Sequence, residues 1–290
     1  MKLIQWFPGH MTKALRMMEE NLKLCDGAVV VLDARCPKAC INRKHTALFA
    51  GKPTLYVLNK ADLVPEGAIR SWQAHFKAQG FSSVAVSMSG GKDLGALKAA
   101  INALFAEKRA RTREKGVNMP MRVMVAGIPN TGKSTLINAL SGERRAQTGD
   151  KAGVTRGKQW IRIADLDLLD TPGTMPPSFD NQTLAKHLAY VGSINDDILD
   201  IPELSLEFLW EVSHGAYGAI LAEKYGVTGE ETKLEMLEKV AKRRGFLLRG
   251  GEYDYDRAAK AVFDDFRKGR IGKIALELPD VPATTAPQGE

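Results

Sequence analysis

Long hydrophobic stretches are what this chain most plainly lacks. No apolar run in its 290 residues approaches the roughly 18 needed to cross a bilayer. The amino terminus, Met1 to His10, has no long apolar segment followed by small residues, so a cleaved leader is not expected and the cytoplasm is. Cysteine is scarce as well. Cys25, Cys36 and Cys40 are odd in number, all early, and without a second Cys/His group to complete a zinc site. A disulfide scaffold is excluded, and buried thiols in a reducing compartment are the expectation. Acidic residues are in deficit, 34 against 41 Lys and Arg, which gives a formal charge of +7. The excess gathers at Lys108, Arg109, Arg111 and Arg113, at Lys242 to Arg244, and at Arg267, Lys268 and Arg270. Each run alone reads as a solvated helix face; together they favour a polyanionic partner such as nucleic acid.

What is present is an ordinary globular composition, 44% hydrophobic and 26% charged, in a chain long enough for one large domain and a smaller one. Residues 11–25 place Leu15, Met18, Leu22 and Cys25 on one helical face. Buried strands are expected at 28–32, 54–58, 83–87 and 122–126, and a two-strand unit at 159–163 and 165–169. Helices fall between them at 67–79 and 94–106, followed by a basic, strand-free linker at 107–118. Strands alternating with helices call for an α/β fold with a mostly parallel, doubly wound sheet. After about residue 176 helical periodicity takes over, near 182–191, 204–224, 231–244 and 255–268. The expected division is therefore an α/β domain over 1–175, an all-α domain over 176–278, and a proline-rich tail over 279–290. There is no internal repeat.

Four motifs carry chemistry. Gly127 to Ser134 (GIPNTGKS) fits G-x-x-x-x-G-K-[ST], between an expected strand and an expected helix. Backbone N–H groups of Gly127, Asn130, Thr131, Gly132 and the helix start, through Thr135, would wrap phosphates. Lys133 would reach the outer phosphates and the Ser134 hydroxyl would ligate Mg2+. Asn59, Lys60, Ala61 and Asp62 end a strand. The Asp62 carboxylate can accept from both guanine N–H donors while the Lys60 stem lies along the base. Adenine lacks both donors and would leave that carboxylate unpaired. Ser87 and Met88, ending the next strand, would hold the guanine oxygen through backbone N–H groups. Asp170 to Gly173 (DTPG) supplies a water-bridged magnesium carboxylate and a γ-phosphate-facing glycine. Thr155, in the segment Ala152 to Arg156, is a second candidate hydroxyl for the metal. A turn explains any one of these motifs by itself; their shared placement at strand ends argues for one nucleotide site binding GTP or GDP.

Their order is unusual. Asp62 precedes Gly127 by 65 positions, whereas an ordinary GTPase places the phosphate loop first. One spatial site then requires a circular permutation, with the old ends joined through 107–118.

Gln5 to Ala14 (QWFPGHMTKA), Val31 to Arg35 (VLDAR), Asn59 to Asp62, Gly127 to Leu140 and Leu168 to Gly173 together resemble the circularly permuted GTPases of bacterial ribosome assembly, the YlqF/RbgA group. The resemblance covers residues 1 to about 175 with specific motifs and weakens in the helical part. It implies a P-loop GTPase that acts as a switch on the large ribosomal subunit, with the helical domain touching rRNA; one complete site per chain makes a monomer the expectation. It further implies that His10 orients the attacking water, and that Asn130 ligates K+ beside the phosphates. Alternatives for these two are a packing or capping histidine and a residue filling loop geometry. Ala152 departs from the proline of many relatives. Thr174 stands where an aliphatic residue is more usual, and no glutamine follows Gly173. Slow intrinsic hydrolysis is therefore expected, with partner stimulation of up to ~10⁵-fold. A small-subunit or transfer-RNA client is a rival reading, decided by comparing activation by separated subunits. A nucleotide-gated scaffold without turnover is another, decided by whether subunits and potassium raise hydrolysis. The oligonucleotide-binding barrel and zinc cluster of small-subunit relatives are missing, which favours the large-subunit branch.

Overall fold

The computed structural model describes residues 3–5, 9–88, 93–116, 119–143, 146, 159–176 and 178–280, apart from the side chain of His10. Thr155 and the rest of the segment Ala152 to Arg156 lie outside the described residues. The chain opens with helix α1 (Gly9–Leu22) and strand β1 (Gly27–Asp33), then two short helices, α2 (Pro37–Cys40) and α3 (Arg43–Leu48). Next come β2 (Thr54–Asn59), α4 (Glu66–Ala78), β3 (Ser82–Val86), α5 (Leu94–Leu104) and α6 (Ala106–Glu114). The phosphate-loop half follows with β4 (Met121–Ala126), α7 (Lys133–Ser141), β5 (Gln159–Ile163) and β6 (Leu166–Asp170). Five helices complete it: α8 (Gln182–Tyr190), α9 (Ile201–Ser213), α10 (Gly218–Tyr225), α11 (Lys233–Arg244) and α12 (Tyr255–Arg267).

The six strands form one sheet in the order β3-β2-β1-β4-β6-β5, parallel except for the β5–β6 edge pair. Parallel strands covered on both faces should read as continuous apolar runs, and every residue of β1 and β2 is buried. Side chains alternate between the faces. Val30, Leu32, Tyr56 and Leu58 join one core, and Val29, Val31, Leu55 and Val57 join the other. The second core is closed by α5 and α7. The first core runs on without a break into α8–α12, through Tyr190, Phe208, Val262 and Phe266. The helical part therefore shares apolar packing with one sheet face.

Three local features differ from the expectations drawn from the sequence. The basic stretch after α5 is helical over Ala106–Glu114, being made of strong helix formers with a Glu107–Arg111 ion pair one turn apart. The run expected at 204–224 is two helices. A Cβ on Gly218 would lie 2.4 Å from the Ser213 carbonyl oxygen, so the chain turns tightly there and only glycine fits. Much of the basic excess is also neutralised internally. Arg244 and Arg270 pair with Asp265, Arg267 pairs with Asp196, and Lys268 pairs with Asp264. No helix among the described residues is long and apolar enough to cross a membrane.

Candidate functional site

Register places the strand ends together. Asp33 lies opposite Asn59, Asn59 opposite Val86, and Val125 opposite Asp170. In such sheets ligands bind beyond the carboxyl ends of the strands, and each sequence motif with a described backbone leaves from that edge.

The phosphate loop follows β4 directly. Gly127 has φ 148°, and a Cβ there would sit 2.4 Å from the Val31 carbonyl oxygen. Gly132, at φ 95°, caps α7 and passes the Asn59 side chain so closely that a Cβ would lie 2.2 Å from Nδ2. Glycine is required at both positions by close approach as well as backbone angle. Lys133 is buried, and its Nζ donates to the Ile128 carbonyl oxygen at 2.8 Å. Burial pulls its pKa down to about 8, against the opposing pull of Asp170. Ser134 and Asp170 approach to 3.4 Å between Oγ and Oδ2. The other carboxylate oxygen of Asp170 is buried and has no partner among the described residues. An orphan carboxylate oxygen beside a hydroxyl fits a hydrated divalent cation. Thr135 is exposed in the first turn of α7.

On the base side, Asn59 is the junction. Its Nδ2 donates to the Thr131 carbonyl oxygen at 2.8 Å, and its Oδ1 accepts from the Met88 N–H at 3.3 Å. One side chain thus ties β2 to the phosphate loop and to the end of β3. Lys60 adopts a left-handed φ of 61°, which is costly for a residue with a Cβ. It is held there by bonds from Nζ to the Asn130 carbonyl oxygen at 2.9 Å and to Asp33 at 2.8 Å. Ala61 opens a 3-10 turn, and Asp62 is exposed with its own N–H donating to Ser87 Oγ at 3.0 Å. The Ser87 N–H donates to Asp93 at 2.8 Å. Both amides expected at the guanine oxygen, those of Ser87 and Met88, thus have protein partners in this structure.

The Asp170 to Gly173 segment lies against the phosphate loop. Thr171 Oγ1 donates to the Val125 carbonyl oxygen at 2.7 Å, and Gly173 packs so tightly that a Cβ would meet the Pro129 nitrogen at 2.6 Å. Asn130 is held at φ 60°, with its Nδ2 donating to the Gly192 carbonyl oxygen at 2.6 Å, just after α8. The phosphate loop is therefore in direct contact with the helical part.

A brace that the motifs did not identify lies behind Lys60. Asp33 and Arg35 are each 1% exposed and pair at 2.7 Å. Burial opposes ionisation of Asp33, but Arg35 and Lys60 outweigh it and hold the carboxyl well below its usual range. Arg35 also donates to the Phe266 carbonyl oxygen at 3.3 Å and stacks on the Phe266 ring. Removing one partner of such a buried pair costs about 3–5 kcal/mol. The sequence signal was a charged Asp-x-Arg at the end of a wholly apolar strand.

The comparisons agree with this geometry. The profile of the 50S ribosome-binding GTPase family matches residues 122–204, from β4 and the phosphate loop through Asp170 to Gly173 and beyond. Asn59 to Asp62 precede the matched segment, as a permuted order demands. A ribosome biogenesis GTPase A from Priestia megaterium is 39% identical over 95% of this chain and 97% of its own. The chain belongs to the ribosome biogenesis GTPase A family. A Bacillus cereus member is 37% identical over 96% of this chain and 95% of its own. A GDP-bound YlqF structure superposes with a TM-score of 0.65 at 27% identity, covering 92% of this chain and all of that one. Members of this family with that fold are circularly permuted GTPases. The present chain accordingly binds guanine nucleotide, hydrolyses GTP and takes part in ribosome assembly.

Proposed function

We propose that this chain is a GTP-driven switch that docks on the maturing large ribosomal subunit and leaves it on hydrolysis. The observation that carries the reading is the 2.8 Å bond from Asn59 to Thr131, which joins the base-side motif to the phosphate loop. Asn59, Lys60, Ala61 and Asp62 take the base, with Ser87 and Met88 beside it. Gly127, Asn130, Thr131, Gly132, Lys133 and Thr135 take the phosphates, and the Gly173 amide faces the γ-phosphate. Ser134 and Thr155 would hold Mg2+, with Asp170 holding it through water, and the ion would supply charge neutralisation at the outer phosphates. Lys133 and Thr155 stabilise charge in the transition state, and His10 orients the attacking water. Asn130, oriented by Gly192, serves a monovalent cation, K+. Residues 1–175 form the GTPase unit and 176–278 the unit that faces the ribosome, in a cytoplasmic monomer. The family profile's description, naming 50S binding, supports the choice of subunit.

GTP hydrolysis measured in potassium and in sodium, with no subunit, with small subunits and with large subunits, tests this. Large subunits alone should stimulate, potassium should exceed sodium, and His10→Ala should bind GTP normally yet lose the stimulation. Equal stimulation by both subunits would remove the large-subunit assignment, and a fully stimulated His10→Ala would remove that residue's role.

A further inference from the structure

Thr174 occupies the position after Gly173 from which many GTPases orient water, but its hydroxyl is turned inward. The residue is wholly buried and each of its polar groups is engaged. Its N–H donates to the Gly127 carbonyl oxygen at 3.4 Å, and its carbonyl oxygen accepts from Asn42 Nδ2 at 3.3 Å. Its Oγ1 shares a hydrogen bond with His45 Nε2. The last two partners belong to one rigid unit, since Asn42 caps α3 by accepting from the Lys44 N–H at 3.0 Å and His45 lies in that helix.

His45 is an expensive choice for its place. It is 2% exposed, and its Nδ1 has no partner among the described residues. An apolar side chain would fill the same space without stranding a polar atom. Burial, and next the nearby Lys133, push its pKa down to about 3, so the ring is neutral at any working pH and does not act as a charge switch. What the imidazole uniquely provides is a hydrogen-bonding atom for Thr174.

We propose that His45 is a positioning residue for GTP: with Asn42 it pins Thr174, so that the Gly173 amide is already set against the phosphate loop when the γ-phosphate arrives. This rests on Gly173 serving the γ-phosphate. Gly173 has residue 174 clamped on one side and Pro129 pressed against it on the other, as its close approach to the Pro129 nitrogen records. GDP makes no use of that amide. Releasing the pin therefore lets the switch wander in the free protein, and the ordering cost falls on GTP alone.

Binding of GDP and of a β,γ-imido GTP analogue to the full chain provides the test, with Thr174→Val and His45→Phe as lesions and Thr174→Ser and His45→Gln as rescues. Both lesions should weaken the analogue about tenfold and leave GDP within about twofold, and Thr174→Ser should restore the wild-type ratio. Parallel weakening of both nucleotides, an unchanged ratio, or Thr174→Ser behaving as Thr174→Val would overturn the proposal. Thr174→Val is nearly isosteric, so it keeps the test meaningful if His45→Phe fails to fold. Failure of the unaltered chain to bind GDP would instead strike the nucleotide site itself.

Discussion

Asp62 presents an exposed carboxylate whose backbone is fixed by Ser87, while the neighbouring Lys60 is committed to Asp33 and Asn130. In the proposed function this side chain selects the base, and it is exposed on a backbone that is already set. Asp62→Asn should lower GTP affinity by roughly 100-fold and shift preference to xanthosine nucleotides, because the amide donates where guanine also donates. Competition between GDP and xanthosine diphosphate for the site measures this, and unchanged GDP affinity would place the base elsewhere. At this scale the motifs were legible because each is a short string with fixed spacing and its own local geometry. The partners of those residues were not. Arg35 meets Phe266, and Asn130 meets Gly192, across separations of 231 and 62 positions that no spacing rule encodes. His45 was invisible for the same reason: nothing near it in sequence announces Thr174.

Secondary structure elements came through where periodicity had room to act. Apart from the break between α9 and α10 and the helix α6 in the expected linker, the six strands and the long helices are those the apolar pattern calls for, within a few residues at each end. The exceptions are short. Four residues in α2 and six in α3 complete no amphipathic repeat, so the segment between β1 and β2 gave no signal although it carries Asn42 and His45. Helix α11 begins two residues later than the expected 231–244 and ends where expected, because a cap sets its start. Thr232 accepts from the Glu235 N–H and Glu235 reaches back to the Thr232 N–H, a reciprocal cap. Thr232→Ala should cost about 1 kcal/mol in urea denaturation with the slope unchanged. The helical part should feel this loss and nucleotide affinity should not. A stability equal to the unaltered chain would show that the cap contributes nothing in place.

Over the whole molecule, residues past α12 turn back onto the GTPase half. Ile274 N–H donates to the Leu63 carbonyl oxygen at 3.1 Å, and Leu276 N–H donates to that of Arg35 at 2.8 Å. Glu277 is the keystone, accepting from the Ala39 N–H at 3.1 Å and, through its carbonyl oxygen, from Trp72 Nε1 at 3.2 Å. Its other carboxylate oxygen meets His187 Nδ1 at 2.7 Å, and Glu211 meets Nε2 at 2.6 Å. Burial works against a charged imidazole there, but the bonds to Glu211 and Glu277 prevail and push its pKa up to about 9 from an ordinary 6.5. A raised folded-state pKa stabilises fully below the unfolded value and loses its effect as pH climbs through the folded one. The difference in stability between the unaltered chain and His187→Gln should therefore shrink between about pH 6.5 and pH 9, by an amount on the order of 3 kcal/mol. Denaturation midpoints across that range would show it, and a constant difference would mean that the ring is not charged.

The backstop that Phe266 gives to Arg35 has a consequence for the order of events in the cell. The permuted chain releases Asn59 to Asp62 early and the support behind them late. Between emergence of Asp62 and emergence of Phe266, at ~5–20 residues per second, on the order of ten seconds or more pass. During that interval the Asp33–Arg35 pair stands open to water on the side that Phe266 will cover. A nascent copy therefore carries Asn59 to Asp62 for some time before Phe266 is available to shield the pair behind them.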